Sequence, residues 1–219
     1  MENLSYPVIL NLRNKDCLVV GGGMIALKKV RGLLNAGARV TVIAITTVGP
    51  LDILEKSNRL LRIYRRPFQN GDTKGYSLVL TATGVSAVDK IIFTECNASL
   101  IWINSADDKD TSSFILPAIV KKGDITVAIS TGGKSPKMAT WLRDQIDNII
   151  SPQILNATDL LAAARQELKM HSVKTESVDW NLLLNGRFFE LINNNLVEEA
   201  EEELSNWISS QTILHSKPK

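Results

Sequence analysis

The chain is poor in the residues that build disulfide frameworks and metal centres. Its 219 residues include two cysteines, Cys17 and Cys96, too few for a disulfide scaffold or a cysteine-built metal site. Both fall in apolar patterns and read as buried, reduced thiols. The only histidines, His171 and His215, stand in no metal-ligand spacing and read as surface residues, so no resident metal is expected. No apolar run reaches the length of a membrane span. A secretory leader is not expected either, because Glu2 comes early and Arg13, Lys15 and Asp16 interrupt the apolar start. A cytoplasmic protein without membrane partners is the expectation. Charge of one sign is missing too: the net value of +2 argues against a nucleic-acid partner.

The near-balance conceals an asymmetry. Residues 1–153 hold 19 Lys and Arg against 13 Asp and Glu, whereas residues 154–219 hold 6 against 10. The basic part contains a glycine motif, which suggests a small anionic ligand rather than a polyanion. Apolar residues make up 44% of the chain, enough for a proper core.

The stretch from Cys17 to Ala26 joins a short β-type run to three glycines and then to a helical pattern with Leu27, Val30 and Leu34 at helical spacing, ending at Gly37. Strand, turn and helix in this order suit a dinucleotide pyrophosphate. Gly21 can make the tight turn, Gly23 lets the anion approach the backbone, and Ala26 allows the helix to pack on the strand. The helix start supplies free N–H groups and partial positive charge. One part of the fingerprint is absent. The second strand, Arg39 to Ile45, runs into Thr46 and Thr47 instead of an acid for the adenosine ribose, and Asp52 and Glu55 come too late in the chain. This position does not decide between NAD and NADP; the lack of an Arg after the strand favours NAD.

Further strands are expected at Leu60–Tyr64, Ser77–Thr81 and Leu100–Asn104, with helices near Leu51–Glu55 and Ser86–Cys96, and an edge strand at Tyr6–Leu12. Alternating strands and helices imply an α/β, Rossmann-like, doubly wound parallel sheet over residues 1–113. The rhythm changes at Phe114. Ile115–Val120 and Ile125–Ser130 flank a turn at Lys121–Asp124 and read as an antiparallel pair, which needs another layer from the first domain or a second chain. Thr131-Gly132-Gly133-Lys134-Ser135-Pro136 leads into a helix to about Ile149. Ser135 suits the N-cap and Pro136 the first turn. This loop reads either as an ordinary helix start or as a second anion site with Lys134 and Lys137 nearby. From residue 154 onward the chain is helical and increasingly acidic, over Leu155–Met170 and Trp180–Ile208, with Leu182, Phe189, Leu196 and Trp207 on a packed face. The expected division is therefore 1–113, a small α+β region at 114–153, and a helical region at 154–219.

Three segments fall in register with one family: Val19–Lys29, Ile103–Asp108 and Ala128–Pro136. Together they resemble the precorrin-2 dehydrogenase module of siroheme synthases over about residues 6–153. The resemblance implies oxidation of precorrin-2 to sirohydrochlorin with NAD as hydride acceptor, in a homodimer whose dimerisation region is residues 114–153. It implies cofactor contacts at Met24, Ile25, Ile45 and Thr46, which join the cofactor positions read from the glycine turn, Gly21, Gly22 and Gly23, and from the end of the fourth strand, Thr83; it also implies a general base at Asp107. A carboxylate there would take the proton released as hydride leaves the substrate; Asp108 is the fallback acid. Asn104, Thr131, Gly132, Gly133, Lys134 and Ser135 are expected to receive precorrin-2, whose eight carboxylates suit the basic half. The turn Thr81–Val85 departs from the family in lacking the acids often found there. Some family members also insert Fe²⁺ into sirohydrochlorin to give siroheme, the alternative activity. A non-enzymatic NAD-sensing domain is the third reading, weakened by the missing strand-two acid and by the presence of the other two motifs.

Overall fold

The computed structural model describes residues 6–106, 108 and 110–215. They divide into two compact units, one up to Leu116 and one from Pro117.

The first unit is a five-stranded sheet in the order β3-β2-β1-β4-β5, with every neighbouring pair parallel. Its strands are β1 (Asp16–Val20), β2 (Arg39–Ala44), β3 (Leu61–Arg65), β4 (Leu78–Thr81) and β5 (Trp102–Ser105). Three helices connect them: α1 (Met24–Asn35), α2 (Gly49–Ser57) and α3 (Ser86–Ala98). A parallel sheet is covered on both faces, so its central strands are apolar throughout rather than alternating. β1 obeys this, with Cys17, Leu18, Val19 and Val20 all buried. Alternation along the strands then sorts residues between the two covers. Cys17, Val19, Val42 and Leu80 pack with Ala26, Leu27 and Val30 of α1 and Leu51 of α2. Leu18, Val20, Val79 and Ile103 pack with Ile92 and Cys96 of α3. Helices on opposite faces make the sheet doubly wound, in keeping with the expected α/β, Rossmann-like architecture. The register Val20↔Ile43, Val20↔Thr81 and Thr81↔Ser105 aligns the strand ends, so the loops that follow them emerge along one edge.

Burial also accounts for the thiols. Cys17 and Cys96 are free and buried. The low-polarity surroundings push the Cys17 thiol up to about 11 and the Cys96 thiol up to about 12.

Several boundaries differ from the sequence reading. Residues 6–12 form no strand, and Tyr6 and Ile9 are exposed; apolar residues here lack a sheet edge to pair with. β5 starts at Trp102 rather than Leu100, because Leu100 adopts φ 56° as the chain turns out of α3. That left-handed conformation is incompatible with an extended strand.

The second unit opens with an antiparallel hairpin, β6 (Ala118–Lys122) and β7 (Ile125–Ile129). Gly123, at φ 53°, takes the first position of its two-residue turn, where the hairpin geometry calls for a glycine. The missing layer comes from within this unit: α4 (Pro136–Ile149) follows, and Lys122 donates through Nζ to the carbonyl of Ile150 at 3.0 Å, tying β6 to the end of that helix. Val120, Ala139 and Ile150 are buried, while Ile119, on the opposite face of β6, is exposed.

The rest is helical: α5 (Pro152–Met170), a 3₁₀ turn (Thr175–Ser177), α6 (Asn181–Leu184), α7 (Arg187–Asn193) and α8 (Val197–His215). The continuous pattern expected from Trp180 to Ile208 is broken twice. A Cβ at Gly186 would lie 2.4 Å from the carbonyl oxygen of Leu182, and Asn195 sits at φ 60°; both positions take the chain out of helix. The breaks rotate the apolar face. Leu183, Phe188, Ile192, Leu204 and Ile208 form the core, whereas Leu182 and Leu196, expected inside, are exposed. Phe189 and Trp207 are partly buried against that core. Both histidines are exposed.

Candidate functional site

The edge carrying the C-terminal ends of β1, β2 and β4 holds a cleft of about 570 Å³. Gly22 and Gly23 line it from the glycine turn, Met24 and Ile25 from the first turn of α1, Thr46, Thr47 and Val48 from the segment after β2, and Ala82, Thr83 and Gly84 from the segment after β4. In an open parallel sheet this is where ligands settle.

The glycines have distinct jobs. Gly21 is at φ +125°, and a Cβ there would lie 2.2 Å from the Ala82 carbonyl oxygen. A Cβ on Gly22 would lie 1.9 Å from the Thr46 carbonyl oxygen. Both are therefore required by the close approach of neighbouring backbone. Hydrogen bonds fix that approach: Gly21 N–H donates to Ile43 at 2.9 Å, Val48 N–H donates to Gly22 at 2.9 Å, and Ala82 N–H donates to Val20 at 2.8 Å. Gly23 is different. Nothing lies within 4 Å of its Cβ position, so its bare backbone faces open space.

Gly23 is also the N-cap of α1, and no side chain caps the helix there; the first turn contains no acid. The first N–H groups of a helix have no partner inside it, and here none is supplied by a cap. Uncapped donors, partial positive charge and an open glycine make a fitting cradle for a dinucleotide pyrophosphate. Met24, Ile25 and Ile45 expose apolar side chains next to it, surfaces suited to the flat rings at either end of such a ligand.

Thr83 donates through Oγ1 to Asp89 Oδ1 at 2.9 Å and receives the N–H of Val85 at 3.0 Å. Asp89, on α3, is buried. It supplies a carboxylate to the β4 turn that the sequence lacks within Thr81–Val85. A polar residue at the fourth position of the following helix was the available signal.

Asn104 is buried at the end of β5. Its Oδ1 accepts from Lys29 Nζ at 2.8 Å, and its Nδ2 donates to the Phe114 carbonyl at 3.0 Å. The amide thus joins α1 to the segment beyond β5. The Lys29 partnership spans 75 residues, so no local pattern announces it. Asp107, the expected base, lies outside the described residues. Asp108, the fallback, accepts through Oδ1 from the Asp110 N–H at 2.9 Å, a local loop bond.

Thr131–Ser135 belongs to the second unit and is organised around its own hydrogen bonds. Thr131 Oγ1 accepts from the Ser135 N–H at 3.1 Å and donates to the Ser135 carbonyl at 3.1 Å. Ser135 Oγ accepts from Met138 N–H at 3.2 Å and caps α4. Gly132 and Gly133 have φ 60° and 76°. Lys134 is exposed.

One carboxylate too far along the chain to belong to the strand tip reaches a residue of the cleft wall, Thr47. Asp52, in the first turn of α2, accepts from Thr47 Oγ1 at 2.6 Å and from Arg65 Nη2 at 2.6 Å. The Thr47 hydroxyl and then the Arg65 guanidinium hold its carboxyl below the usual range. Helix α2 folds Asp52 back to the residues that end β2, a return that counting along the chain does not reveal.

Among the described residues, no group of three or more His, Cys, Asp or Glu side chains is placed to hold a metal, and no helix is long and apolar enough to cross a membrane.

Comparison with known proteins agrees with this geometry. A family model described as "Putative NAD(P)-binding" matches residues 8–118, and one described as "Sirohaem biosynthesis protein central" matches residues 122–149. The chain is 35% identical over 201 residues to the siroheme synthase of Methylococcus capsulatus, an alignment covering 90% of this chain and 42% of that protein. It is 30% identical over 207 residues to siroheme synthase 1 of Pectobacterium atrosepticum, covering 94% and 43%. The chain therefore spans less than half the length of these relatives. A solved structure described as SirC, precorrin-2 dehydrogenase superposes with a TM-score of 0.71 at 24% identity, covering 94% of this chain and all of that one; the two share a fold.

Proposed function

Because the chain belongs to the NAD(P)-binding family, we propose that it oxidises precorrin-2 to sirohydrochlorin with NAD⁺. The observation that carries this reading is the uncapped start of α1 opening at Gly23 into the cleft between the ends of β2 and β4. The similarity to siroheme synthases, proteins named for a tetrapyrrole product, supports the substrate class.

When bound, NAD⁺ would supply the acceptor for a hydride leaving a substrate carbon. The chain does the rest. Backbone N–H groups of Gly23, Met24 and Ile25 bind the pyrophosphate, and Gly21 and Gly22 hold those donors by fitting under Ala82 and Thr46. Ile45 and Thr46 carry the adenosine end. Thr83, braced by Asp89, lines the opposite wall. Asp107 takes the proton that leaves as the hydride departs, so one hydride and one proton account for the two-electron oxidation. Asn104, pinned by Lys29 and Phe114, is held at the end of β5. In the second unit, Thr131, Gly132, Gly133, Lys134 and Ser135 are the proposed acceptors of precorrin-2 carboxylates; exposed Lys134 supports that reading.

The test is direct. Purified protein, precorrin-2 and NAD⁺ should produce NADH absorbance, and its absence defeats the proposal. Asp107→Asn should lower turnover by about 10²–10⁴-fold, the usual range for a lost general base, with NAD⁺ affinity nearly unchanged.

The name siroheme synthase carried by these relatives favours a second reading, insertion of Fe²⁺ into sirohydrochlorin, with Fe²⁺ as substrate. Sirohydrochlorin and Fe²⁺ without NAD⁺ should then yield the metallated spectrum. We also propose a cytoplasmic homodimer formed through residues 114–153, with residues 154–219 as a separate helical region. Exposed Ile119, Met138 and Trp141 on the hairpin and α4 support this assembly; sedimentation as a monomer at micromolar concentration would overturn it.

A further inference from the structure

We infer that Asp52 selects NAD over NADP, by accepting the adenosine ribose hydroxyls and by occupying the cation that a 2′-phosphate would need. This rests on the dinucleotide reading above and deepens it. Thr47 lines the cleft where β2 ends, the place at which a dinucleotide fold presents its adenosine ribose. The customary acid at the strand tip is replaced there by Thr46 and Thr47. Asp52 restores a carboxylate to that spot from the next helix, through its 2.6 Å bond with Thr47 Oγ1.

The geometry leaves acceptor capacity. The bonds from Thr47 and Arg65 both fall on Oδ1, so Oδ2 is available for a ribose hydroxyl. The 2′-phosphate of NADP is normally met by an arginine at this position. The arginine bonded to Asp52 is Arg65, and it is already committed: its Nη2 lies 2.6 Å from Asp52 and 2.9 Å from Glu55. Glu55 is itself fixed by accepting the Ile63 N–H at 2.8 Å. Binding NADP would require breaking this bridge and bringing a phosphate beside two carboxylates. Lys56, four positions along α2, also acts on the Asp52 carboxylate; it tempers the repulsion without supplying the planar fork that grips a phosphate.

The experiment is titration of the purified full chain with NAD⁺ and with NADP⁺ by calorimetry, which needs no turnover. Wild type should bind NAD⁺ at least about tenfold more tightly, the usual worth of a hydrogen bond to a charged group. The difference should shrink as salt rises from 0.05 to about 1 M, since its repulsive part is screened. Asp52→Asn should weaken NAD⁺ binding by about tenfold. Asp52→Ala should in addition strengthen NADP⁺ binding, because a negative charge is removed and Arg65 keeps one carboxylate partner, Glu55, instead of two. A helix-stabilising role alone would lower the melting temperature and leave the ratio of the two affinities unmoved, overturning the inference. Equal affinities in wild type overturn it without any variant. If wild type binds neither dinucleotide, the reading of the cleft itself falls.

Discussion

Two glycine-rich loops lead into helices in this chain, and they end differently. At Gly21–Gly23 the helix begins without a side-chain cap, and the glycine at the cap faces open space. At Gly132-Gly133 the following Ser135 accepts the Met138 N–H, and Thr131 binds Ser135 on both its N–H and its carbonyl. The first loop leaves its helix start uncapped; the second spends several of its polar groups on itself. Glycines before a helix therefore do not identify an anion cradle. The cap decides, because a side-chain oxygen in that position satisfies a donor that an anion would otherwise take.

Substitutions should separate the two loops. The largest effect is expected at Gly22→Ala, whose Cβ would collide with the Thr46 backbone 1.9 Å away. Denaturant unfolding of the first unit should show a loss of about 3 kcal/mol or more, as for other forced overpacking. Gly23→Ala meets no atom. It should cost no more than about 1 kcal/mol of stability, the scale of a cap change, yet weaken dinucleotide binding by about tenfold or more through loss of close backbone approach. If Gly23→Ala binds like wild type, the cradle lies elsewhere.

Alkaline pH should distinguish the two units next. Both thiols lie in the first, with folded values of about 11 and 12 against an ordinary 9.0. A raised value means that the folded state holds its proton longer. The associated stability is complete below about pH 9 and is lost as pH climbs toward 11–12. Each thiol should remove on the order of 1 kcal/mol by pH 10. Hydrogen exchange should therefore show protection in residues 6–116 falling more steeply above pH 9 in wild type than in a Cys17→Ala, Cys96→Ala variant. The smallest effect belongs to Ser135→Ala, a lost cap worth about 1 kcal/mol in the second unit, with no change in NAD⁺ affinity.

Much of the first unit was legible because its signals are local. A parallel strand buried on both faces is continuously apolar, as β1 is, and a helix beside it repeats its apolar residues every three or four positions, as α1 does. The helical tail misled for the opposite reason. Its apolar residues suit several helix phases, and the interruptions at Gly186 and Asn195 decide which of them, Leu183 and Phe188 rather than Leu182 and Leu196, turn inward. The hairpin was legible as a pair, but its cover was not: the helix that closes it is its own successor, tethered through Lys122 to Ile150.

Reading along the chain was enough for the strands of the parallel sheet, the glycine turn and the buried thiols, because periodicity and backbone freedom are properties of neighbouring residues. Packing between elements set the division of labour among the three glycines, the link from Lys29 to Asn104 and the return of Asp52 to Thr47 and Arg65. Each of these depends on distances between separate elements, which are set by how the helices pack on the sheet and not by position along the chain.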